Sequence, residues 1–129
     1  MSYYLARIST RPFDAVVAET IDRLRAEGFG ILSDIDVQAT LRAKIGADVP
    51  RYRILGACNP QFAHEALRIE DKLGVLLPCN VIVRETGTGD VEVASIDPVA
   101  SLERTGNPAL APLATEVRRR LANVIASVS

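Results

Sequence analysis

The side chains best suited to chemistry gather around one cysteine. Cys58 stands directly before Asn59-Pro60, a pair that starts helices because asparagine caps the first turn and proline fits within it. A thiol at the positive end of a helix has a lowered pKa and reacts more readily as a thiolate. Gly56, predicted on the same strand face, is expected to leave open space beside the sulfur. We therefore predict a ligand-binding site at Gly56, Cys58 and Asn59. The alternative is that Cys58 is a small buried hydrophobe.

A second cysteine and a second asparagine follow within an apolar run over residues 75–84. Cys79 shares its predicted strand face with Val75, Leu77, Val81 and Val83, a core environment in which burial raises a thiol pKa. We expect Cys79 to be less reactive than Cys58. Asn80 points to the other face, where it contacts either a ligand or a neighbouring loop. Both residues are retained as candidate binding residues.

No complete catalytic or metal-binding set is recognisable. The single histidine, His64, falls on the polar side of the helix that starts at Pro60, away from Cys58, and zinc needs more ligands than two separated cysteines supply. Asp34 and Asp36 share a strand face, which we interpret as an exposed surface with Asp36 capping the next helix. The Gly-Thr-Gly run at 87–89 is typical of a hairpin rather than a phosphate loop. We predict no catalytic residues, no cofactor and no metal, and favour a protein that is not an enzyme.

Composition limits the class of protein. The 129 residues are 48% hydrophobic and 24% charged, and they are expected to form one domain over residues 1–129. Fifteen basic residues against 16 acidic ones argue against binding to nucleic acid through its phosphates. The apolar run at 75–83 is too short to cross a bilayer, and residues 1–8 lack the features of a signal peptide. We predict a cytoplasmic protein without membrane or nucleic-acid partners.

Periodicity predicts strands that alternate with helices and then a late hairpin. Strands are expected at 3–9, 30–37, 52–58, 75–84 and 91–96. A first helix is expected after a Thr10 cap as far as Gly28, and a second ends before Gly46 with Ala39, Leu41 and Ile45 pointing inward. Further helices are expected from Pro60 to about 71 and briefly after Asp97. The last helix is expected over 110–128, with Arg118, Arg119 and Arg120 offsetting the helix dipole at its end. This mixture predicts an α+β domain whose sheet has helices packed on one face.

Four stretches in this order and spacing resemble the family called domain of unknown function 302. They are 28–37, the Gly-Ala-Cys-Asn-Pro segment within 52–60, the Leu-Pro-Cys-Asn segment within 77–81, and Ile96-Asp97-Pro98. The resemblance implies a curved, largely antiparallel sheet of the TATA-binding-protein-like or helix-grip type, often in a homodimer. It brings no established activity and does not imply DNA binding, because fold and function separate freely.

Three hypotheses follow from these patterns. The first is a non-enzymatic ligand-binding or regulatory domain, dimeric, with a small-molecule pocket where strand 52–58 meets the helix after Cys58. The alternative is a thiol-dependent redox or sulfur-handling protein that uses Cys58. The third is a structural domain whose exposed sheet face contacts another protein.

Overall fold

Five antiparallel strands form one open sheet. The computed structural model describes residues 2–129, and its strands are β1 (Tyr4–Ser9), β2 (Gly30–Asp36), β3 (Tyr52–Cys58), β4 (Cys79–Glu85) and β5 (Val91–Ile96), in the order β1-β5-β4-β3-β2. The helices are α1 (Phe13–Ala26), α2 (Val37–Ile45), α3 (Pro60–Ile69), α4 (Pro98–Leu102) and α5 (Ala111–Ser127). Short 3-10 turns occupy Leu73–Leu76, Glu103–Thr105 and Pro108–Leu110. The predicted α+β class is confirmed.

Helices α1 and α5 cover one face of the sheet. Alternate strand residues point to this face and are buried against the helices, among them Leu55, Ala57, Val81, Val83, Val91 and Val93. The helices contribute apolar side chains at helical spacing, including Val16, Leu24, Leu121 and Val124. The opposite surface, which we call the open face, leaves Tyr4, Ile8 and Ile35 about half exposed. Among residues 2–129, no helix combines the length and the apolar character needed to cross a membrane.

Local sequence signals set most of the element ends. Gly28 and Gly46 both have the positive φ angles, 88° and 66°, that favour glycine after a helix. Asp36 caps α2 by accepting a hydrogen bond from the amide of Ala39 at 2.9 Å, as predicted. The predicted Thr10 cap is wrong. α1 begins only at Phe13, its N-cap position is Pro12, and no side chain caps it, because proline at this position has no side-chain acceptor.

Packing in β2 and α2 departs from simple periodicity. A register shift between Ile31 and Ser33 interrupts the alternation of a regular strand, so Ile31 packs towards the helices while Ile35 lies on the open face. No residue of α2 is buried, and Ile45, expected to point inward, is 74% exposed. The predicted inward orientation of Ala39 and Ile45 is therefore wrong, because α2 follows an edge strand and is left exposed.

The predicted strand over 75–84 is shorter than expected. β4 starts at Cys79, after Pro78, because proline has no amide to contribute to a sheet ladder. The preceding residues form the 3-10 turn Leu73–Leu76, in which Leu73 is buried and Val75 is 86% exposed. Cys79 still shares its face with Val81 and Val83, but Val75 and Leu77 do not belong to that strand.

The basic run in α5 lies in the middle of the helix rather than at its end, so the predicted dipole role is wrong. Arg118 instead donates a hydrogen bond to the Asp97 carboxylate at 3.0 Å, and Arg119 and Arg120 both bond to Glu116. The bond from Arg118 links α5 to the start of α4, and the bonds to Glu116 hold Arg119 and Arg120 along the surface of α5.

Candidate functional site

An apolar cavity of about 360 Å³ opens where the end of β3 meets α3, the 3-10 turn Leu73–Leu76, α4 and α5. Leucine, alanine, phenylalanine and proline side chains provide most of its walls. Asn59, Ser101 and the two cysteines are the polar side chains on the lining, and none of its residues is charged. The cavity is thus apolar and lined without charged side chains, and it lies at the place where the sequence predicts a pocket.

The lining changes from fully buried to exposed. Ala57, Leu73 and Phe29 are no more than 2% exposed. Leu32, Leu67 and Leu76 also line the cavity, yet they are 68%, 40% and 40% exposed. We call these three residues the leucine rim. The cavity therefore has a buried apolar floor and an apolar mouth that faces solvent.

Asn59 fixes the helix that forms one wall. Its side-chain Oδ1 accepts hydrogen bonds from the amides of Gln61 at 3.2 Å and Phe62 at 3.3 Å. This cap sets the start of α3 and so determines which side of the helix faces the cavity. That side carries Phe62, Ala63, Ala66 and Leu67. The guanidinium of Arg120 lies 5.0 Å from the centre of the Phe62 ring, which holds α3 against α5.

Asp97 fixes the opposite wall. Its side chain accepts a hydrogen bond from the amide of Val99 at 3.0 Å and caps α4, while its other oxygen accepts from Arg118. Asp97 is 8% exposed, and its carboxylate is paired with the guanidinium of Arg118. The two helices that carry Phe62 and Leu102 into the lining are both held by side-chain caps.

The structure brings together three of the five predicted site residues. Cys58, Asn59 and Cys79 all line the cavity. Asn80 is exposed on the open face, in a separate depression with Tyr52 and Arg84. Gly56 is buried, and its predicted role as open space beside Cys58 is wrong.

The space above Gly56 is filled from two sides. A Cβ added there would overlap the Ser33 hydroxyl and lie 2.9 Å from Cγ of Pro78. Glycine is favoured at this position because the side chains of Ser33 and Pro78 occupy the space that a Cβ would take.

Burial affects the acidity of both thiols. It raises the pKa of Cys58, contrary to the predicted lowering, because burial disfavours the charged thiolate. The amides of Gln61 and Phe62 at the start of α3 bond to Asn59. Burial also raises the pKa of Cys79 from 9.0 to about 11, with repulsion from Cys58 as a smaller cause. At neutral pH both sulfurs are therefore thiols, and they contribute polarisable apolar surface to the cavity.

The sequence analysis missed the leucine rim. Leu67 gave a usable signal, since it falls on the apolar side of α3 together with Phe62 and Ala63. Leu32 gave none, because the register shift in β2 that turns it towards the cavity has no marker in the sequence. Among residues 2–129, no group of three or more histidine, cysteine or acidic side chains is arranged to hold a metal ion.

Comparison with known proteins finds a family and a fold. A model of the family described as Domain of unknown function DUF302 matches residues 5–128. A crystal structure of an uncharacterized conserved protein DUF302 from Bacillus stearothermophilus is similar, with a TM-score of 0.93 and 24% sequence identity over 100% of both chains. At that identity the likeness concerns the fold. No curated protein matches the chain.

Proposed function

The chain belongs to the DUF302 family, and we propose that within this family it is a non-enzymatic module that binds a small apolar molecule in the cavity beside Cys58. The cavity itself supports this most directly, because its walls combine a buried apolar floor with access from solvent. Its volume of about 360 Å³ lies within the range of small-molecule sites, roughly 300–1,000 Å³.

The lining determines the class of ligand. A charged group moved into the cavity would lose its water without meeting an opposite charge, at a cost of several kcal/mol or more. An apolar group gains about 25 cal/mol for each Å² removed from water. The ligand, or the part of it that enters, is therefore uncharged and mostly hydrocarbon.

The thiol alternative has weaker support. A sulfur nucleophile needs a thiolate, and burial raises the pKa of both Cys58 and Cys79. Cys58 remains partly exposed, so oxidation or alkylation there is accessible in space but slow near neutral pH. In the proposed function the two sulfurs act as part of the lining.

A homodimer through the open face is a second part of the proposal. In this face Ile35, Ile54, Ile82, Ala94 and Ala6 pair in register and form one apolar row across all five strands. Arg84 and Glu92 bond to each other beside this row at 2.8 Å. In a two-fold dimer the same surface of both copies meets, so this apolar row would pack against its equivalent on the second copy.

The ligand proposal is tested with the fluorescent probe N-phenyl-1-naphthylamine. We expect saturable binding at one probe per chain, measured by fluorescence titration. Ala63→Phe fills the cavity and should weaken binding at least tenfold, whereas Ala18→Phe, on the exposed side of α1, should leave it unchanged. Equal weakening by both variants, or the absence of saturable binding to the unmodified protein, would remove the proposal.

The dimer proposal is tested by light scattering. We expect a mass of about twice 13.9 kDa for the unmodified protein at micromolar concentration. Ile82→Glu, in the centre of the apolar row, should give the monomer mass, and Val75→Glu, exposed outside the sheet, should not. A monomer mass for the unmodified protein that persists on concentration would refute the dimer and leave the ligand proposal standing.

A further inference from the structure

The cavity and its mouth form a continuous apolar path from the interior to the solvent. At the inner end Leu73 and Leu102 are buried between α3, α4 and α5. At the outer end the leucine rim is 40–68% exposed, and Val75, next to Leu76 in the sequence, is 86% exposed. A compact ligand on the floor would leave the leucine rim in water, where exposed apolar surface of this kind marks a binding site.

We propose that the ligand is an amphiphile with one linear alkyl chain, which enters tail first and leaves its head group at the leucine rim. This inference rests on the proposed function and specifies its ligand. An alkyl chain fits a lining that changes from buried to exposed, because the end of the alkyl chain reaches the buried floor and its middle covers the leucine rim. The head group remains in solvent, since no charged residue within residues 2–129 lines the cavity to receive it.

The neutral thiols agree with this occupant. Cys58 and Cys79 both line the path, and a thiolate at either position would put a negative charge beside a hydrocarbon tail. Because both sulfurs carry their protons at neutral pH, the path stays apolar along its length.

The test is displacement of bound N-phenyl-1-naphthylamine by 1-hexanol, 1-octanol and 1-decanol. Each methylene that leaves water for the path should tighten binding about fourfold, so each step of two carbons should give about 15-fold. The compact alcohol 1-adamantanol has as many carbons as 1-decanol and serves as the matched ligand. It should bind at least tenfold more weakly than 1-decanol.

Two variants test whether the outer part of the alkyl chain contacts the leucine rim. Leu67→Ser, at the leucine rim, should weaken 1-decanol several-fold while changing 1-hexanol little, because the shorter alcohol stays on the floor. Ile45→Ser removes an exposed apolar side chain of α2 and should change neither alcohol.

The outcomes separate this inference from the proposed function. If the probe binds but the three alcohols displace it equally well, or if 1-adamantanol matches 1-decanol, the cavity takes compact ligands and the alkyl chain is refuted. If higher protein concentration alone releases the probe, a second copy covers the leucine rim and the inference is also overturned. If the probe does not bind at all, the proposed function itself fails.

Discussion

Reactivity of the two cysteines distinguishes a lining role from thiol chemistry. The perturbation is unfolding, which removes the burial that raises both thiol pKa values. For Cys79 the change from 9.0 to about 11 amounts to two pH units, so the native protein holds about 100-fold less thiolate at this residue than the unfolded chain at pH 8. Only about one Cys79 in a thousand is then ionised in the native state.

The assay is alkylation with iodoacetamide between pH 7 and 10, read residue by residue from peptide masses. At pH 7–8 we expect Cys79 to react about 100-fold more slowly in the native protein than in urea, and the difference should narrow to about tenfold at pH 10, where the unfolded thiol is already ionised. The native rate should rise about tenfold per pH unit and reach no plateau in this range. Cys58 should react faster than Cys79, because it is closer to solvent, but still more slowly than in urea.

The result that would refute this reasoning is specific. If native Cys58 at pH 7 reacts faster than the same residue in urea, its pKa is lowered rather than raised. The helix terminus would then outweigh burial, and the thiol-dependent alternative would replace the lining role. A native Cys79 that reacts at the unfolded rate would show instead that this strand end opens readily.

Two further substitutions test the contacts that shape the site. Gly56→Ala should lower the free energy of unfolding by about 1–2 kcal/mol in urea titrations, because the new methyl group meets Pro78 while the Ser33 hydroxyl can rotate away. The control Gly87→Ala has open space around it and should change the free energy of unfolding by less than about 0.5 kcal/mol. Equal effects of the two substitutions would contradict the close approach at Gly56. Asn59→Ala should lower the free energy of unfolding by about 1 kcal/mol, because it removes the cap of α3. Asn59→Asp keeps an acceptor and should retain most of the stability. Equal losses of stability for both variants would show that the cap contributes little.

The parts of the fold that the sequence predicts are those encoded locally. Asn59-Pro60 and Asp97-Pro98 each place a side-chain acceptor before proline, and each starts a helix as expected. The turn between β4 and β5 is likewise predicted from its glycines. These signals act within four residues, so they can be recognised without knowing what packs against them.

The wrong predictions concern segments whose structure depends on contacts between residues that are distant in the sequence. The run from 75 is apolar enough for a strand, but a buried Leu73 and an exposed Val75 come from packing of the turn against α3 and the loop before α5. A single extra residue in β2 moves Ile31 to the opposite face from Ile35. The position of the pocket could be predicted because Cys58 ends a strand at a helix start. The leucine rim as a whole could not be predicted, because it depends on how three elements meet, namely β2, α3 and the turn Leu73–Leu76.

The most direct test of the cavity as a binding site is methyl NMR on leucine- and isoleucine-labelled protein titrated with N-phenyl-1-naphthylamine. Ring currents from the probe report which side chains it contacts. We predict large, saturable shifts for the methyl groups of Leu73, Leu102 and Leu113, with those of Ile54 and Ile82 on the open face unchanged. Shifts confined to Ile54 and Ile82, or none at saturating probe, would contradict a ligand in the cavity.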